Sequence, residues 1–349
     1  MRASDEILFT RPGRILLNRP KALNTLTLGM CESLLARLQA WKVDPAVKAV
    51  LIAGAGEKAF CAGGDVVRLY TDHKAGGSLA ERFWRTEYRA NAAIKHLGKP
   101  YVALMDGIVM GGGVGVSVHG SHRVVTDRTT FAMPETCIGL FPDVGGSYFL
   151  PRLPGAAGMY LGLTGARLKG TDCVALGIAH ALVPHGRLTE LDAALADAGE
   201  VTEIINTFAQ PVTDAPILAQ RAAIDRHFSQ DSVEAIMASL ERDGGAWAAA
   251  QLAALGKYSP LALKIAFRQI RIAAGLSFND CMRLEWRLAS RVAKAHDFYE
   301  GVRALLVDKD NAPRWRPATL DAVSAADVEA YFAPLPGDAL DLSDIGGDT

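Results

Sequence analysis

Short apolar runs alternate with longer amphipathic segments in the first half of the chain, and this alternation most limits the folds open to it. Residues 47–53 are apolar, partly β-branched and followed by Gly54, which is typical of a buried strand. Residues 27–41 and 79–96 instead carry apolar side chains at helical spacing. Strands that alternate with helices predict an α/β fold with parallel strand pairing.

Further short strands fit the same scheme. They are predicted within residues 7–17, with an interruption at Arg11-Pro12-Gly13, and at residues 101–104, 123–126 and 130–133. Residues 114–119 could form a strand or a buried helix by pattern alone. The glycines that precede them favour a helix start, so we predict a helix there.

The composition of the chain changes after about Pro184. Residues 188–208 are acidic and rich in alanine. Ser259-Pro260 is a typical helix start, with serine as the cap and proline in the first turn. Ser277 and Asp297 are each followed by an acid three residues later, which predicts two more helices that begin with a capping box.

The last third of the chain is therefore predicted to be mostly helical. Beyond Trp315 the sequence becomes acidic and contains glycine, and we expect this tail to fray. We predict a core at residues 1–200 that binds the ligand. Residues 201–349 would form a helical region that completes the site and offers contacts for oligomers.

Charge and cysteine usage exclude several classes of protein. The net charge is −1 with no long basic run, which argues against a nucleic-acid surface, and no apolar run is long enough to cross a membrane. The five cysteines are widely spaced, without a Cys-x-x-Cys pair, so neither a disulfide framework nor a zinc site is predicted. With no secretory signal pattern either, these features predict a soluble cytoplasmic protein.

The run at residues 131–146 sets two carboxylates, Glu135 and Asp143, among apolar residues and glycines. A carboxylate in such surroundings is desolvated, and desolvation raises its basicity. Such a group can act as a base or a nucleophile near neutral pH. Alternatively, both acids cap local turns and face water, and this run by itself does not decide between the two interpretations.

Two glycine-rich loops lie upstream, at residues 60–65 and 110–115. Glycine lets backbone N–H groups approach a ligand closely, and the N–H groups at a helix start are unpaired. Two such loops could together hold an oxyanion. The alternative is that these glycines serve only turns and close packing.

Other common active-site motifs are absent from the sequence. No dinucleotide-binding or P-loop glycine pattern occurs, and neither Ser117 nor Ser147 has the glycines on both sides that a nucleophile elbow needs. Cys61 could be a thiol nucleophile, but a small buried residue is the simpler interpretation. His119 and His122 have no further metal-ligand candidates nearby, and we predict no metal site.

Several of these motifs together resemble the crotonase superfamily, whose members are similar to enoyl-CoA hydratases and isomerases. They are Phe60-Cys-Ala-Gly-Gly-Asp65, the loop at Gly111-Gly-Gly113 and Pro134-Glu135. Within the superfamily the chain most resembles the branch of 3-hydroxyisobutyryl-CoA hydrolases. This resemblance lies in residues 110–115, 133–136, 139–146, 300–304, 308–310 and Trp315. The resemblance implies an α/β crotonase-like spiral of β-β-α turns with a helical C-terminal region.

The resemblance also implies roles for single residues. In crotonases two backbone N–H groups hold the thioester carbonyl, and the matching positions here are Gly64 and Gly112. The hydrolase branch pairs the carboxylate at Glu135 with an aspartate eight residues later, here Asp143. It also uses a glutamate from the helix before the second loop, here Glu87. Glu135 would either attack the carbonyl carbon or activate water, and both mechanisms stay open.

The substrate contacts implied by the resemblance lie around the first loop. Lys21, Ala22 and Leu23 match the segment near the adenine pocket of coenzyme A, and Ala62 and Asp65 are further candidates for substrate binding. Coenzyme A is part of the substrate, so no cofactor is expected. The partner is a small acyl-CoA molecule rather than a nucleic acid or a membrane, and family members often assemble as homo-oligomers, as trimers or hexamers.

One position departs from the hydratases of the superfamily. Hydratases carry a glutamate three residues after the second oxyanion glycine, and this chain has Gly115 there. The resemblance therefore implies hydrolysis of 3-hydroxyisobutyryl-CoA, a step of valine degradation. The alternatives are an enoyl-CoA hydratase or isomerase and a crotonase-fold protein that binds acyl-CoA without turnover.

Overall fold

The computed structural model describes residues 3–196, 200–335, 337 and 339–347. Within these residues the chain forms ten strands. They are β1 (Ile7–Arg11), β2 (Arg14–Leu17), β3 (Val50–Gly54), β4 (Ala59–Cys61), β5 (Tyr101–Met105), β6 (Ile108–Met110), β7 (His122–Val125), β8 (Thr130–Ala132), β9 (Leu168–Lys169) and β10 (Ala181–Leu182).

The strands build two sheets. The first has the order β1-β2-β3-β5-β7-β10, with an antiparallel hairpin of β1 and β2 and parallel pairs elsewhere. The second has the order β4-β6-β8-β9, in which only β8 and β9 are antiparallel. All five residues of β5 are buried, as expected for a parallel strand covered on both faces.

From β3 to β8, successive strands alternate between the two sheets. β3 and β4, β5 and β6, and β7 and β8 each place one strand in the first sheet and one in the second. Each such pair is one turn of a spiral. The predicted α/β spiral of β-β-α turns is thereby confirmed, and so is the helical C-terminal region.

Helices cover the sheets and form most of the last third. They are α1 (Ala3–Glu6), α2 (Leu28–Val43), α3 (Val66–Lys74), α4 (Leu79–Lys95), α5 (Gly112–Gly115), α6 (Gly146–Phe149), α7 (Ala157–Thr164), α8 (Gly170–Ala175), α9 (Leu188–Ala194), α10 (Val201–Phe208), α11 (Pro216–Phe228), α12 (Val233–Asp243), α13 (Ala246–Leu255), α14 (Pro260–Ala273), α15 (Phe278–Val292), α16 (His296–Val302) and α17 (Ala325–Phe332). Short 3₁₀ turns stand at Pro20–Ala22, Glu135–Ile138, Leu150–Arg152 and His185–Arg187, and a π-helical turn at Arg303–Val307.

Two of the predicted serine caps are confirmed. The Ser259 hydroxyl accepts the N–H of Ala262, and the Ser277 hydroxyl accepts the N–H of Asp280. The third predicted helix is present as α16, but Asp297 does not cap it, because the N-cap is Ala295 and Asp297 lies in the first turn. The Asp297 carboxylate instead accepts hydrogen bonds from the Ser259 hydroxyl and the Arg316 N–H, so it joins the start of α14 to the chain beyond α16.

The helix predicted at residues 114–119 is shorter and begins earlier than expected. Helical geometry covers Gly112–Gly115, and turns follow. The Ser117 hydroxyl bonds back to the carbonyls of Gly113 and Val114, which competes with continuation of the helix. The glycine loop is therefore itself the first turn of α5.

The described residues of the C-terminal segment are packed against the core, so for them the prediction of a tail that frays beyond Trp315 is wrong. Arg89 of α4 donates to the Asp341 carbonyl at 2.8 Å and pairs with the Asp344 carboxylate at 2.6 Å. Three apolar side chains of this segment are buried: Leu340, Leu342 and Ile345. The acidic composition misled the prediction, because Glu329 and Asp344 pair with arginines while apolar residues of the same segment enter the core.

The larger of two apolar clusters runs from β1 to the C-terminal segment, and a smaller one joins β3, β5 and β7 to α9 and α10. The larger cluster includes side chains on both sides of position 200, so the sheets and the C-terminal helices share it. None of the described helices combines the length and the apolar character needed to span a membrane.

Three parallel strands of the second sheet end side by side. β4 ends at Cys61, β6 at Met110 and β8 at Ala132, and Met110 is paired with Ala132 in the register. The carboxyl ends of neighbouring parallel strands meet at one edge of a sheet, where α/β proteins commonly bind ligands. The three segments that follow these strands are therefore brought together.

Candidate active site

The first of these segments is the glycine loop after β4. Gly63 has a φ of 114°, a conformation that residues with a side chain rarely adopt. The Gly64 carbonyl accepts the N–H of Val66 at the start of α3. The Gly64 N–H has no backbone acceptor among the described residues, so it is free to meet a ligand.

The second segment is the glycine loop after β6, where Gly111 has a φ of 49°. Gly112 is the first residue of α5, and its N–H has no acceptor within the helix. A methyl group placed on Gly112 would lie 3.3 Å from the Gly64 nitrogen. The two loops thus bring two unpaired amides together, and such a pair can stabilise an oxyanion.

Glu135 follows β8, at the start of the 3₁₀ turn Glu135–Ile138. Its side chain is 4% exposed, and a methyl group placed on Gly111 would lie 3.3 Å from Glu135 Oε1. The carboxyl group therefore faces the second glycine loop. The interpretation in which Glu135 caps a turn and faces water is wrong.

Asp143 is also buried, at 3% exposure, and its Oδ2 accepts the Tyr88 hydroxyl at 2.9 Å. Desolvation raises the pKa of Asp143 to about 7. Desolvation and then the charge of Asp143 raise the pKa of Glu135 well above its ordinary value. Both carboxyl groups therefore keep their protons to a higher pH than a surface carboxylate does, and the charge of Asp143 opposes ionisation of Glu135.

Glu87 brings a third carboxyl group to the same place, from α4. It is 2% exposed, and a methyl group on Gly112 would overlap its Oε1. Desolvation, followed by the charges of Asp143 and Glu135, raises the pKa of Glu87. Among the described residues none of these three carboxyl groups forms an ion pair, so the site concentrates acidic groups without a basic side chain beside them.

The turn that carries Asp143 is strained and is held from the C-terminal region. Val144 has a φ of 50°, which costs a β-branched residue about 1–3 kcal/mol. The N–H groups of Gly145 and Ser147 donate to the Glu285 carboxyl group at 2.8 and 2.9 Å, and the Ser147 hydroxyl donates to it as well. His119 Nε2 lies 2.7 Å from the Val144 carbonyl oxygen. These contacts fix the direction in which Asp143 points.

The sequence analysis missed two residues of this arrangement, Glu285 and Tyr88. Glu285 is fully buried, and desolvation raises its pKa to about 8. The sequence does contain a signal for Glu285, because this acid lies on the apolar face of α15 with Cys281 and Leu288. Tyr88 had no comparable signal, since its partner Asp143 lies 55 residues away.

Replacing Asp143 by asparagine is expected to stabilise the fold increasingly as the pH rises. The folded pKa of Asp143, about 7, exceeds the ordinary value of 3.8, so its carboxyl group stabilises the fold fully only below about pH 4. That contribution is lost as the pH rises through 7, whereas asparagine loses nothing. The melting temperature of Asp143→Asn minus that of the unaltered protein should therefore grow from pH 4 to 7 and level off above.

A carboxylate on the surface offers a matched control. The Asp231 side chain is 93% exposed, so for Asp231→Asn the same difference should change little across this pH range. A difference for Asp143→Asn that is constant from pH 4 to 8 would contradict the raised pKa.

The candidate coenzyme A segment runs beside the first loop. Lys21 and Ala22 belong to the 3₁₀ turn Pro20–Ala22, and the Leu23 carbonyl accepts the Ala62 N–H at 3.0 Å. Leu23 has a φ of 51°, which turns the chain sharply at this point. The structure therefore brings Lys21, Ala22, Leu23 and Ala62 together next to Gly64.

The Asp65 carboxylate has a structural role. One oxygen accepts the Arg68 N–H and so caps α3, and the other binds Arg19 at 2.8 Å. Cys61 is likewise structural: it is fully buried, and desolvation raises the pKa of its thiol to about 12, which rules out a thiolate near neutral pH. Among the described residues no three histidines, cysteines or acids are grouped so as to hold a metal ion.

A two-sheet spiral with glycine loops and a buried glutamate at one strand edge is the crotonase fold. The chain belongs to the enoyl-CoA hydratase/isomerase family, whose sequence model matches residues 12–332. This family assignment agrees with the resemblance carried by the glycine loops and by Pro134-Glu135.

Curated relatives cover almost the whole chain. The chain is 47% identical to the mitochondrial 3-hydroxyisobutyryl-CoA hydrolase of Danio rerio, over 96% of this chain and 91% of the relative. It is 43% identical to the mitochondrial 3-hydroxyisobutyryl-CoA hydrolase of Homo sapiens, over 95% of this chain and 90% of the relative.

Solved structures agree on the fold. A structure described as a carnitinyl-CoA dehydratase from Mycobacterium thermoresistibile matches with a TM-score of 0.92 and 46% identity, over 97% of this chain and 99% of that one. A structure described as an enoyl-CoA hydratase from Rhodobacter sphaeroides matches with a TM-score of 0.88 and 39% identity, over 96% and 99% of the two chains.

The prediction of a cytoplasmic location is wrong, because these curated relatives are named as mitochondrial proteins. The prediction depended on unpaired cysteines and on the lack of a secretory signal pattern. Unpaired cysteines argue against an oxidising compartment but do not identify which other compartment holds a protein.

Proposed function

We propose that this chain hydrolyses the thioester of 3-hydroxyisobutyryl-CoA, a step of valine degradation, and releases 3-hydroxyisobutyrate and free coenzyme A. The support is twofold: 43–47% identity to hydrolases of that name over nearly the full chain, and the geometry of the strand edge. The observation that carries the proposal is the buried Glu135 carboxyl group beside the glycine loop at Gly111 and Gly112.

The first step in this proposal is polarisation of the thioester carbonyl. Its oxygen would accept the N–H groups of Gly64 and Gly112, which are adjacent and have no other backbone acceptor among the described residues. Negative charge grows on this oxygen as the tetrahedral intermediate forms. Two preorganised donors therefore bind the transition state more strongly than the ground state.

Glu135 would act in one of two ways. Its carboxylate would attack the carbonyl carbon and form an acyl anhydride, or it would take a proton from the water molecule that attacks. The raised pKa of Glu135 makes the ionised form a stronger base than a surface glutamate. The carbon–sulfur bond then breaks and the coenzyme A thiolate leaves. If water attacks, the proton that Glu135 takes from it passes to the thiolate sulfur, which leaves one acid and one thiol. If Glu135 attacks, water then hydrolyses the anhydride, which releases the acid and restores the carboxyl group, and a proton of that water ends on the sulfur.

Hydration of an enoyl group is the alternative, because two matching structures are described as a dehydratase and a hydratase. The geometry at Gly115 argues against it. A methyl group placed there would lie 2.6 Å from Val144 Cβ and 2.9 Å from Asn91 Nδ2. A glutamate would have no room at this position, so the second acid of the hydratases cannot be supplied from it.

A thiol-release assay over short acyl-CoA thioesters tests the proposal. We expect free thiol from 3-hydroxyisobutyryl-CoA, at a rate far above that of the uncatalysed reaction. With crotonyl-CoA we expect neither loss of the enoyl absorbance nor rapid thiol release. Loss of enoyl absorbance without thiol would instead support a hydratase, and binding without either signal would support a protein that only holds acyl-CoA.

We also propose that the C-terminal helical region, residues 201–349, completes the site built on residues 1–200. The support is Glu285 of α15, which holds the turn that carries Asp143. We propose that coenzyme A contacts four residues that lie next to Gly64: Lys21, Ala22, Leu23 and Ala62. A trimer or hexamer remains a proposal from the family alone, to be checked by light scattering.

A further inference from the structure

Asn91 of α4 is a buried amide that the chain itself leaves unsatisfied. Its side chain is 0% exposed, and neither Oδ1 nor Nδ2 has a hydrogen-bond partner among the described residues. An unsatisfied buried polar group costs about 1–3 kcal/mol, and most buried polar side chains are therefore paired. An amide with both ends unpaired in such a position indicates a ligand group that binds there.

Other unpaired polar atoms lie in the same place. Glu87 Oε1 and Glu135 Oε2 are buried and also have no partner among the described residues. Glu87 and Asn91 are four residues apart on α4, so their side chains lie on one face of the helix. The unpaired amide thus belongs to the wall of the proposed active site.

The short helix α5 gives the position of Asn91 relative to the thioester. A methyl group on Gly112 would overlap Glu87 Oε1, and one on Gly115 would lie 2.9 Å from Asn91 Nδ2. Three residues of helix rise about 4.5 Å. Asn91 therefore lies about that distance farther along α5 than the Gly112 amide, within reach of an acyl group whose carbonyl oxygen is held at Gly112.

The chemistry of these atoms fits a hydroxyl group. A hydroxyl donates one hydrogen bond and accepts others. Asn91 offers a donor at Nδ2 and an acceptor at Oδ1, and Glu87 Oε1 stands beside them. If Glu87 is ionised, the hydroxyl can donate to Glu87 Oε1 and accept from Asn91 Nδ2. If Glu87 is protonated, the hydroxyl can accept from Glu87 and donate to Asn91 Oδ1. A purely aliphatic acyl group would leave all of these atoms unsatisfied.

We propose that Asn91, together with Glu87, binds the hydroxyl group of the acyl chain and so selects 3-hydroxyacyl thioesters over thioesters without that hydroxyl. This inference rests on the proposed hydrolase function. A site built to bind a hydroxyl discriminates strongly against the analogue that lacks it, since its buried polar groups are then left unpaired.

The test is the ratio of kcat/KM for 3-hydroxyisobutyryl-CoA to kcat/KM for isobutyryl-CoA, measured by thiol release. Asn91→Leu keeps the size of the side chain and removes both polar atoms. We expect it to lower kcat/KM for the hydroxylated thioester by about 10- to 100-fold, which corresponds to the loss of one or two hydrogen bonds. For isobutyryl-CoA the value should stay within about threefold of the unaltered protein, so the ratio falls.

Two further variants keep the experiment decisive. Asn91→Ser retains a smaller donor and acceptor and should give an intermediate ratio, which also serves if Asn91→Leu does not fold. Asn279→Leu removes another buried asparagine, one that binds His96 and the Gly346 carbonyl, and should leave the ratio unchanged.

The outcomes separate the two proposals. If the Asn91 variants lose activity equally on both thioesters, or on neither, Asn91 has only a structural role and the inference is overturned, while the hydrolase function stands. If the unaltered protein releases no thiol from 3-hydroxyisobutyryl-CoA, the proposed function and the inference both fail.

Discussion

Glu135→Gln is expected to lower kcat for thioester hydrolysis by about 10²–10⁴-fold and to leave the fold intact. Glutamine has the shape of the protonated acid, which the buried site already favours, so the packing around residue 135 is preserved. It cannot attack the carbonyl carbon or accept a proton from water. KM should change far less than kcat, because the amides of Gly64 and Gly112 still hold the thioester.

The measurement combines steady-state thiol release with a melting curve for each protein. Glu190→Gln, at a glutamate whose side chain is 63% exposed, is the control and should behave like the unaltered protein. Turnover by Glu135→Gln within tenfold of the unaltered protein would reject Glu135 as the catalytic group, both as nucleophile and as base.

Gly112→Ala is expected to lower kcat/KM by about 10²–10³-fold, the usual effect of losing one oxyanion donor. The added methyl group would overlap Glu87 Oε1 and lie 3.1 Å from Leu26 Cδ1 and 3.3 Å from the Gly64 nitrogen. It therefore intrudes between the two amides that would grip the thioester oxygen. Thiol release at several substrate concentrations measures the effect.

Gly275→Ala is the matched control for this variant, because a methyl group at Gly275 meets no other atom within 4 Å. Its activity and melting temperature should stay close to those of the unaltered protein. If Gly112→Ala retains full activity while folded, the carbonyl oxygen does not bind at this pair of amides, and the proposed mechanism must be abandoned.

Much of the fold could be predicted from the sequence, because buried parallel strands consist of short runs of apolar residues. The strands at residues 101–104, 123–126 and 130–133 were found in this way, each within one or two residues of its observed bounds. The serine caps of α14 and α15 were also local signals, since cap and partner are three residues apart. Asp297 carried the same local pattern, yet its carboxylate serves Ser259, 38 residues away.

The candidate site could be predicted only in part. Glu135 and the two glycine loops stood out because acids in apolar runs and repeated glycines are unusual. Their approach to one another depends on the register of β4, β6 and β8, which no single segment encodes. The contact between Glu285 and Ser147 joins residues 138 apart, and the unpaired amide of Asn91 is recognisable only once its neighbours are known.

The bond between Arg89 and Asp341 spans 252 residues, which orders events on the ribosome. At about 5–20 residues per second, the helix that carries Glu87, Tyr88 and Asn91 is synthesised about 13–50 s before the segment that covers its outer face. The contacts between this helix and the C-terminal segment therefore form only after almost the whole chain has been made.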